Sequence, residues 1–493
     1  MFSTLPPPPP RASPTAQSAP HVPDPIIFQN ADADITLVDI PASIVAAQGD
    51  RSDVLLSTAP LEEPIQLRQD YEPKTQKTRA QAAKVHHGDS TQQNEHDLQS
   101  LHLDDAGYKL LVEHALAQIR AHVSGPWCMR RQLMTQTSRS AQDGAMDLDS
   151  PSERNLELCM REWASRSQAK QDDMAFNLQQ MMASLGAASE PADSAAAADK
   201  CILSYRHAPV IESNTQAADS VTQETQTVPW TCTFHNPNQH SLEATITDRT
   251  LQSASSAQDY RFAIPPRATL FLSDSTASDA FRWSFRRLTD EYSLARHFDL
   301  VLLDPPWPNR SAKRKGTYEQ VGGMPYLKRM LLNMHLDMYL EHNALVGVWV
   351  TNKPSLKQHV LGPGGLFEAW NVGLMEEWIW IKTTTKGEPM FDIDSPMRKP
   401  YEMLLLGRAA PNSWSRMAHA PVVKRRVIAA VPDVHSRKPC LKSLLEPYLV
   451  DPTDYTALEV FSRYLVSGWT SWGNEVLKYN WDGYWVKAGS AEN

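Results

Sequence analysis

The 493-residue chain has few cysteines, no long apolar run and no glycine-rich phosphate loop. Its five cysteines, Cys128, Cys159, Cys201, Cys232 and Cys440, form neither a CxxC pair nor an even framework. That scatter argues against a disulfide scaffold and a zinc site, so no metal is expected, and it fits an intracellular, reducing compartment. No stretch reaches the roughly eighteen apolar residues of a membrane span. The N-terminus MFSTLPPPPPRASP lacks the apolar core of a signal peptide, so a soluble protein is expected. No GxGxxG is present, which removes the usual dinucleotide fingerprint. A net charge of -9 does not announce a nucleic-acid partner, but the sum averages over tails and a local basic patch is what matters.

What is present divides the chain. Nine of the 36 prolines fall in the first 25 residues and the mean hydropathy is -0.44, so residues 1–98 read as a disordered, Pro-rich and polar tail. Residues 99–225 read as helical. Tyr108, Leu111, Val112, Ala115, Leu116 and Ile119 repeat at helical spacing, and SPSE at 150–153 has the form of a capping box with Pro151 at the first helical position. The helix that it opens carries Leu156, Cys159, Met160 and Trp163 on one face, a stripe that continues in Met181, Met182 and Leu185 and suits packing. GAASEPADSAAAADK, near 186–200, reads as a linker. From 226 to 485, near-continuous apolar runs alternate with amphipathic stretches: ATLFLSD, FDLVLLD, a helix around Tyr326 to His342, ALVGVWVTN, a helix after Pro354, LMEEWIWIKT, EMLLLGR, RVIAAV and ALEVF. This pattern predicts an α/β domain with a mostly parallel sheet covered by helices on both faces, followed by a short tail at 486–493.

Chemistry concentrates at FDLVLLDPPWPNRSAKRKG, residues 298–316. Ligands of open α/β sheets gather at the carboxyl ends of strands, and Asp304 closes one. Pro305 and Pro306 fix φ and present their carbonyls in a rigid turn. Trp307 offers a flat face for a planar base, worth about 1–3 kcal/mol. An exocyclic amine such as adenine N6 is a poor nucleophile because its lone pair is conjugated into the ring. A carboxylate and a carbonyl that accept its hydrogens favour the lone-pair-available form, most strongly in the transition state. As a four-residue motif alone, DPPW is also ordinary strand-to-turn punctuation. The basic run after it, Asn309, Arg310, Ser311, Lys313, Arg314 and Lys315, suits phosphate and ribose contacts flanking the target base, with MRKP (397–400) and VVKRRV (422–427) as extensions of the track; a solvated loop is the plain alternative.

The ordered blocks FDLVLLDPPWPNRSAKRKG, VWVTN (348–352), EWIWIK (377–382), KGEPMFDIDSPMRKPYEMLLLGR (386–408), HSRKP (435–439) and LEVFSRYLVSGWTSWGNEVLKY (458–479) resemble the MT-A70 family of S-adenosylmethionine-dependent adenine N6-methyltransferases, closest to its methyltransferase-like protein 4 branch. The resemblance covers about 226–485. It implies a permuted, Rossmann-like class I methyltransferase fold, in which the DPPW strand precedes the segment that closes the cofactor pocket, so the missing glycine loop is consistent with it. It implies S-adenosylmethionine as cofactor. Lys438 would meet the methionine carboxylate, Arg463 would offer a donor fork beside Phe461, and Asn474 and Glu475 would take the ribose hydroxyls. Asp274 would accept from the cofactor's adenine amine. Trp349 and Asn352 of VWVTN join the substrate residues. For Lys438, Asn474 and Arg463 the plain readings are a solvated charge, a turn former and a surface residue.

Three functions compete on this evidence: an adenine N6-methyltransferase, a noncatalytic nucleic-acid-binding subunit of the same family, and an enzyme acting on another amine such as cytosine N4. RNA, as an unpaired internal adenosine or 2'-O-methyladenosine in small nuclear RNA, is the favoured substrate and DNA adenine the alternative. A monomer without membrane contact, located in the nucleus or also the cytoplasm, is expected.

Overall fold

The protein, seen here as a computed structural model, is described over residues 24–51, 53–66, 91–134, 151–172, 201–208, 225–249, 258–276, 278–308, 323–395, 398–417, 423–435 and 437–487. The first half contributes β1 (Ile26–Gln29), β2 (Ile35–Val38), α1 (Ile40–Ala47), β3 (Val54–Ser57), α2 (Thr91–His122), β4 (Gln132–Leu133), α3 (Pro151–Asp172), β5 (Cys201–His207), β6 (Gln226–Pro229), β7 (Thr233–His235) and β8 (Leu242–Asp248). The second contributes β9 (Gln258–Ile264), β10 (Thr269–Leu272), α4 (Ser278–Tyr292), β11 (Phe298–Leu303), α5 (Gly323–Asn333), β12 (Leu340–Thr351), α6 (Pro354–Leu361), β13 (Val372–Lys382), β14 (Tyr401–Ala409), β15 (Lys424–Ala430), β16 (Ala457–Val460), β17 (Thr470–Gly473) and β18 (Trp485–Val486).

Among the described residues, eleven strands make one sheet, in the order β1-β2-β15-β13-β14-β12-β11-β16-β17-β10-β7. Only β1, β14 and β7 run against the rest, so the sheet is mostly parallel, as the apolar runs predict. The two-residue period of the strands divides the core. Val301 and Leu303 join a cluster under α2, α4, α5 and α6, while Leu300 and Leu302 point to the other face, where α1 and residues 440–449 cover them. Strands β16 and β17, late in the chain, enter between β11 and β10. This permuted order brings the C-terminal segment beside the DPPW strand. A four-stranded antiparallel sheet, β6-β5-β8-β9, packs with α3 in a third cluster that reaches Leu270, Leu465 and Val476.

Several expectations need correction. Residues 24–66 are not tail: β2 pairs in parallel with β15, and buried Ile35, Leu37, Ile40 and Ile44 extend both cores. Polar, Pro-rich surroundings hid these short apolar stretches. Residue 226 is no boundary either, because β5 pairs with β8 in one sheet. The helix expected to His342 stops at Asn333; His335 adopts a left-handed φ of 50°, and β12 begins at Leu340, opposite Phe298. In the N-terminal half, Tyr108, Val112, Ala115, Leu116 and Ile119 are buried against the sheet, and Leu156, Cys159, Met160 and Trp163 against β5, β8 and β9. Met181, Met182, Leu185 and the Ala-rich linker lie outside the described residues. Among the described residues no helix is long and apolar enough to cross a membrane.

Candidate methyl-transfer site

The carboxyl ends of five parallel strands converge on one edge of the sheet. Asp304 follows β11, Phe461 follows β16, Asn474 follows β17, Asn352 follows β12, and Asp274 lies two residues past β10. Antiparallel β14 brings its first residues to the same edge, with Glu402 opposite Thr351. A cleft on the α1 side is lined by Leu302, Asp304, Trp349, Lys438, Glu459 and Arg463, among others.

Lys438 is the centre of its electrostatics. Its Nζ donates to both Asp304 oxygens at 2.8 and 2.7 Å and lies 3.3 Å from Glu402 Oε2. Lys382, from the end of β13, donates to the other Glu402 oxygen at 2.7 Å. Burial works against the Lys438 ammonium, but Asp304 and Glu402 outweigh it and hold its pKa above the ordinary value. Burial likewise opposes the Glu402 carboxylate, and Lys438 and Lys382 reverse that and keep it ionised well below the usual range. Glu459, on β16 opposite Leu302, has neither lysine as a hydrogen-bond partner. Desolvation pushes its carboxyl up to about 7; the Ser462 hydroxyl, donating at 3.1 Å, opposes this and Asp304 adds to it. The expected solvated alternative for Lys438 is therefore wrong: its side chain is only 15% exposed. Glu402, Lys382 and Glu459 were not legible as site residues, because only strand pairing carries them to Asp304.

The DPPW turn is rigid for a reason that the sequence only partly shows. The Trp307 N–H donates to the Pro305 carbonyl at 2.7 Å across Pro306, and the Asp304 N–H reaches Val460 O at 3.3 Å. Trp307 corrects one expectation. Its side chain is 6% exposed, packs in the α2-side core and donates Nε1–H to the Trp349 carbonyl at 2.6 Å. It ties β11 to β12 and offers no open stacking face here. Trp349 is itself buried, against Trp380 with ring centroids 5.9 Å apart, and Lys438 Nζ sits 5.3 Å over its ring. Asn352, one residue past β12, is half-buried and is not among the residues that line the cleft.

On the cofactor side, Phe461 takes a left-handed φ of 63°, unusual for a non-glycine residue. The N–H groups of Phe461 and Ser462 both donate to Trp472 O, at 2.7 and 3.3 Å, which holds the bend. Gly473 lies so close beneath it that a Cβ there would stand 3.3 Å from the Phe461 Cα. Arg463 Nε pairs with Glu475 Oε2 at 3.1 Å, so the predicted donor fork and ribose acceptor are brought together. Asn474 is half-buried next to them. Asp274 accepts from the Thr276 N–H at 2.9 Å, a turn bond, and lies three strands from Asp304.

Asn309, Arg310, Ser311, Lys313, Arg314 and Lys315 lie outside the described residues. The extension of their track through VVKRRV does not hold, because two of its three cations are committed. Arg425 Nε pairs with buried Glu377 at 3.1 Å and Arg426 Nε with buried Glu376 at 2.8 Å. Arg398 of MRKP is exposed.

Residues 298–475 match the MT-A70 family model. The chain is 39% identical over 227 residues to the N6-methyladenosine RNA methyltransferase MTA1 of Cryphonectria parasitica, covering 46% of this chain and 63% of that protein. It is 32% identical over 232 residues to the N(6)-adenine-specific methyltransferase METTL4 of Homo sapiens, covering 46% and 45%. A DNA N6-methyl methyltransferase of Caenorhabditis elegans is 31% identical over 219 residues, covering 44% and 53%. The chain thus spans between 45% and 63% of the length of these curated relatives.

Proposed function

Taking residues 298–475 as the MT-A70 domain that they match, we propose that this chain is an S-adenosylmethionine-dependent N6-adenine methyltransferase of nucleic acid, with RNA preferred to DNA. The observation that carries the proposal is Asp304 at a parallel strand end, fixed by Lys438 and lining a cleft that is also lined by Arg463, the partner of Glu475. A noncatalytic subunit has no need of that acid. The RNA preference rests on the relative named as an RNA enzyme, at 39% identity against 31% for the worm DNA enzyme.

The residues present fit the cofactor. Lys438 supplies a cation for the methionine carboxylate, and Glu475 and Asn474 supply acceptors for the ribose hydroxyls. When bound, the cofactor supplies an electrophilic methyl on a sulfonium. The chain's own work is to hold the acceptor. Asp304 and a carbonyl of the DPPW turn accept the two hydrogens of the amine and leave its lone pair available. Lys438 donates to both Asp304 oxygens and so fixes the orientation of the acid. The tie from Trp307 to Trp349 keeps that turn from yielding, and orientation then provides much of the rate.

The test is methyl transfer to matched RNA and DNA oligonucleotides bearing one unpaired adenosine, with Asp304→Ala as control. Transfer to RNA above DNA that disappears in the variant supports the proposal; wild-type protein that binds no S-adenosylmethionine overturns it. A monomeric state and nuclear residence complete the proposal, checked by sedimentation and by imaging of the tagged chain.

A further inference from the structure

Helix α3 lies far from Asp304 in sequence, yet it grips the segment that carries the cofactor residues. Lys478 follows Glu475 by three residues, and its N–H donates to the Glu475 carbonyl at 2.9 Å. Its side chain is 12% exposed and ends between two carboxylates of α3, 2.5 Å from Glu157 Oε1 and 3.6 Å from Glu153 Oε1. Glu153 also accepts from the Tyr484 hydroxyl. The acid of SPSE, which the sequence suggests as a helix cap, is thus turned toward this cluster. Burial works against the Lys478 ammonium, and Tyr479, Glu475 and Glu157 outweigh it. The next residue, Tyr479, donates its N–H to the Arg463 carbonyl at 2.9 Å, so both ends of the Arg463–Glu475 pair are tied to one short turn.

We propose that Glu153 and Glu157 of α3, through Lys478, position Glu475 and Arg463 for the cofactor ribose. Lys478 and the two glutamates are positioning residues; none lines the cleft beside Asp304. A turn held by a nearly desolvated cation between two acids has little freedom to rearrange. Without the clamp, the turn whose Lys478 backbone N–H donates to the Glu475 carbonyl is no longer anchored to α3, and the Arg463–Glu475 pair must be ordered when the cofactor binds. The cost then falls on cofactor affinity and not on the acceptor side.

The inference rests on the proposed methyltransferase reading, and the experiment separates the two. S-adenosylmethionine affinity and KM, nucleic-acid KM, kcat and the urea midpoint are measured for the full chain, for Glu157→Gln, for Lys478→Met and for Lys478→Arg. Glu157, at 15% exposure, is the milder site and guards against loss of folding. The expected result is a rise of about tenfold in cofactor Kd and KM for Lys478→Met, the equivalent of ~1.4 kcal/mol. A smaller rise is expected for Glu157→Gln, recovery for Lys478→Arg, and no change in nucleic-acid KM. Folded Glu157→Gln and Lys478→Met with wild-type cofactor affinity would overturn the inference, as would equal rises in both KM values. Wild-type protein without cofactor binding would instead remove the reading beneath it.

Discussion

Replacing Lys438 by Met keeps the volume of the stem and deletes the ammonium. Two hydrogen bonds to Asp304, at 2.8 and 2.7 Å, and the 3.3 Å contact with Glu402 disappear together. Removing one partner of a fully buried pair costs about 3–5 kcal/mol. Here Lys438, Asp304 and Glu402 are 15%, 28% and 25% exposed, and Lys382 still serves Glu402, so screening reduces the expected loss to about 1–2 kcal/mol. The loss must depend on pH in a defined sense. Glu402 is depressed below its ordinary 4.5, so its contribution is complete above that value and fades as pH falls toward the depressed one. Lys438 is raised above its ordinary 10.5, so its contribution is complete below that value and fades as pH rises through the raised one. The difference between wild type and Lys438→Met is therefore largest between these limits and shrinks on acidification. Urea titrations at neutral pH and at a pH below 4.5 measure it. A difference of equal size at both would refute the assigned network. The same variant should bind S-adenosylmethionine about tenfold or more weakly, since a hydrogen bond to a charged group contributes roughly 1.5–3 kcal/mol.

Trp307→Phe leaves the Trp349 carbonyl without its 2.6 Å donor and should cost about 1–3 kcal/mol in a chemical melt; an unchanged midpoint would return Trp307 to a pure stacking role. Gly387 has a φ of 79°, and an added Cβ would stand 2.4 Å from the Trp127 ring, so Gly387→Ala should destabilise by at least about 1–3 kcal/mol. Thermal denaturation checks this, and a stability equal to wild type would disprove the contact between Trp127 and the loop after β13. Asp304→Asn should lower kcat/KM by about 10²–10³, while stability changes by less than about 1 kcal/mol because the acid is partly exposed. Activity within threefold of wild type would remove Asp304 from the chemistry.

Much of the site was legible because strand ends have a signature. FDLVLL followed by Asp304 is an apolar run closed by an acid, and ALEV before Phe461 is a second short, largely apolar run whose end is marked by the change to SRY. Parallel pairing then gathers such ends without further information. What was missed shares one cause. Glu402 opens an apolar strand instead of closing one, and only the antiparallel course of β14 turns its start toward the site. Arg425 and Arg426 look like a nucleic-acid track in sequence, and only the β13–β15 register sets them against Glu377 and Glu376. The strands within 24–66 were lost because a few apolar residues among prolines cannot be read as core until a partner strand is known.

By itself, then, the sequence determined the α/β class, the rigid acid-ended turn and the set of chemical groups, since these depend on local period, backbone restriction and residue type. Tertiary structure alone decided which charges meet: Lys438 with Asp304 and Glu402, Lys478 with α3, and Trp307 with the β12 backbone. Those contacts join residues separated by 36 to more than 300 positions, and nothing in a linear pattern fixes such a distance. Inserting β16 and β17 between β11 and β10 is what brings the two halves of the site together.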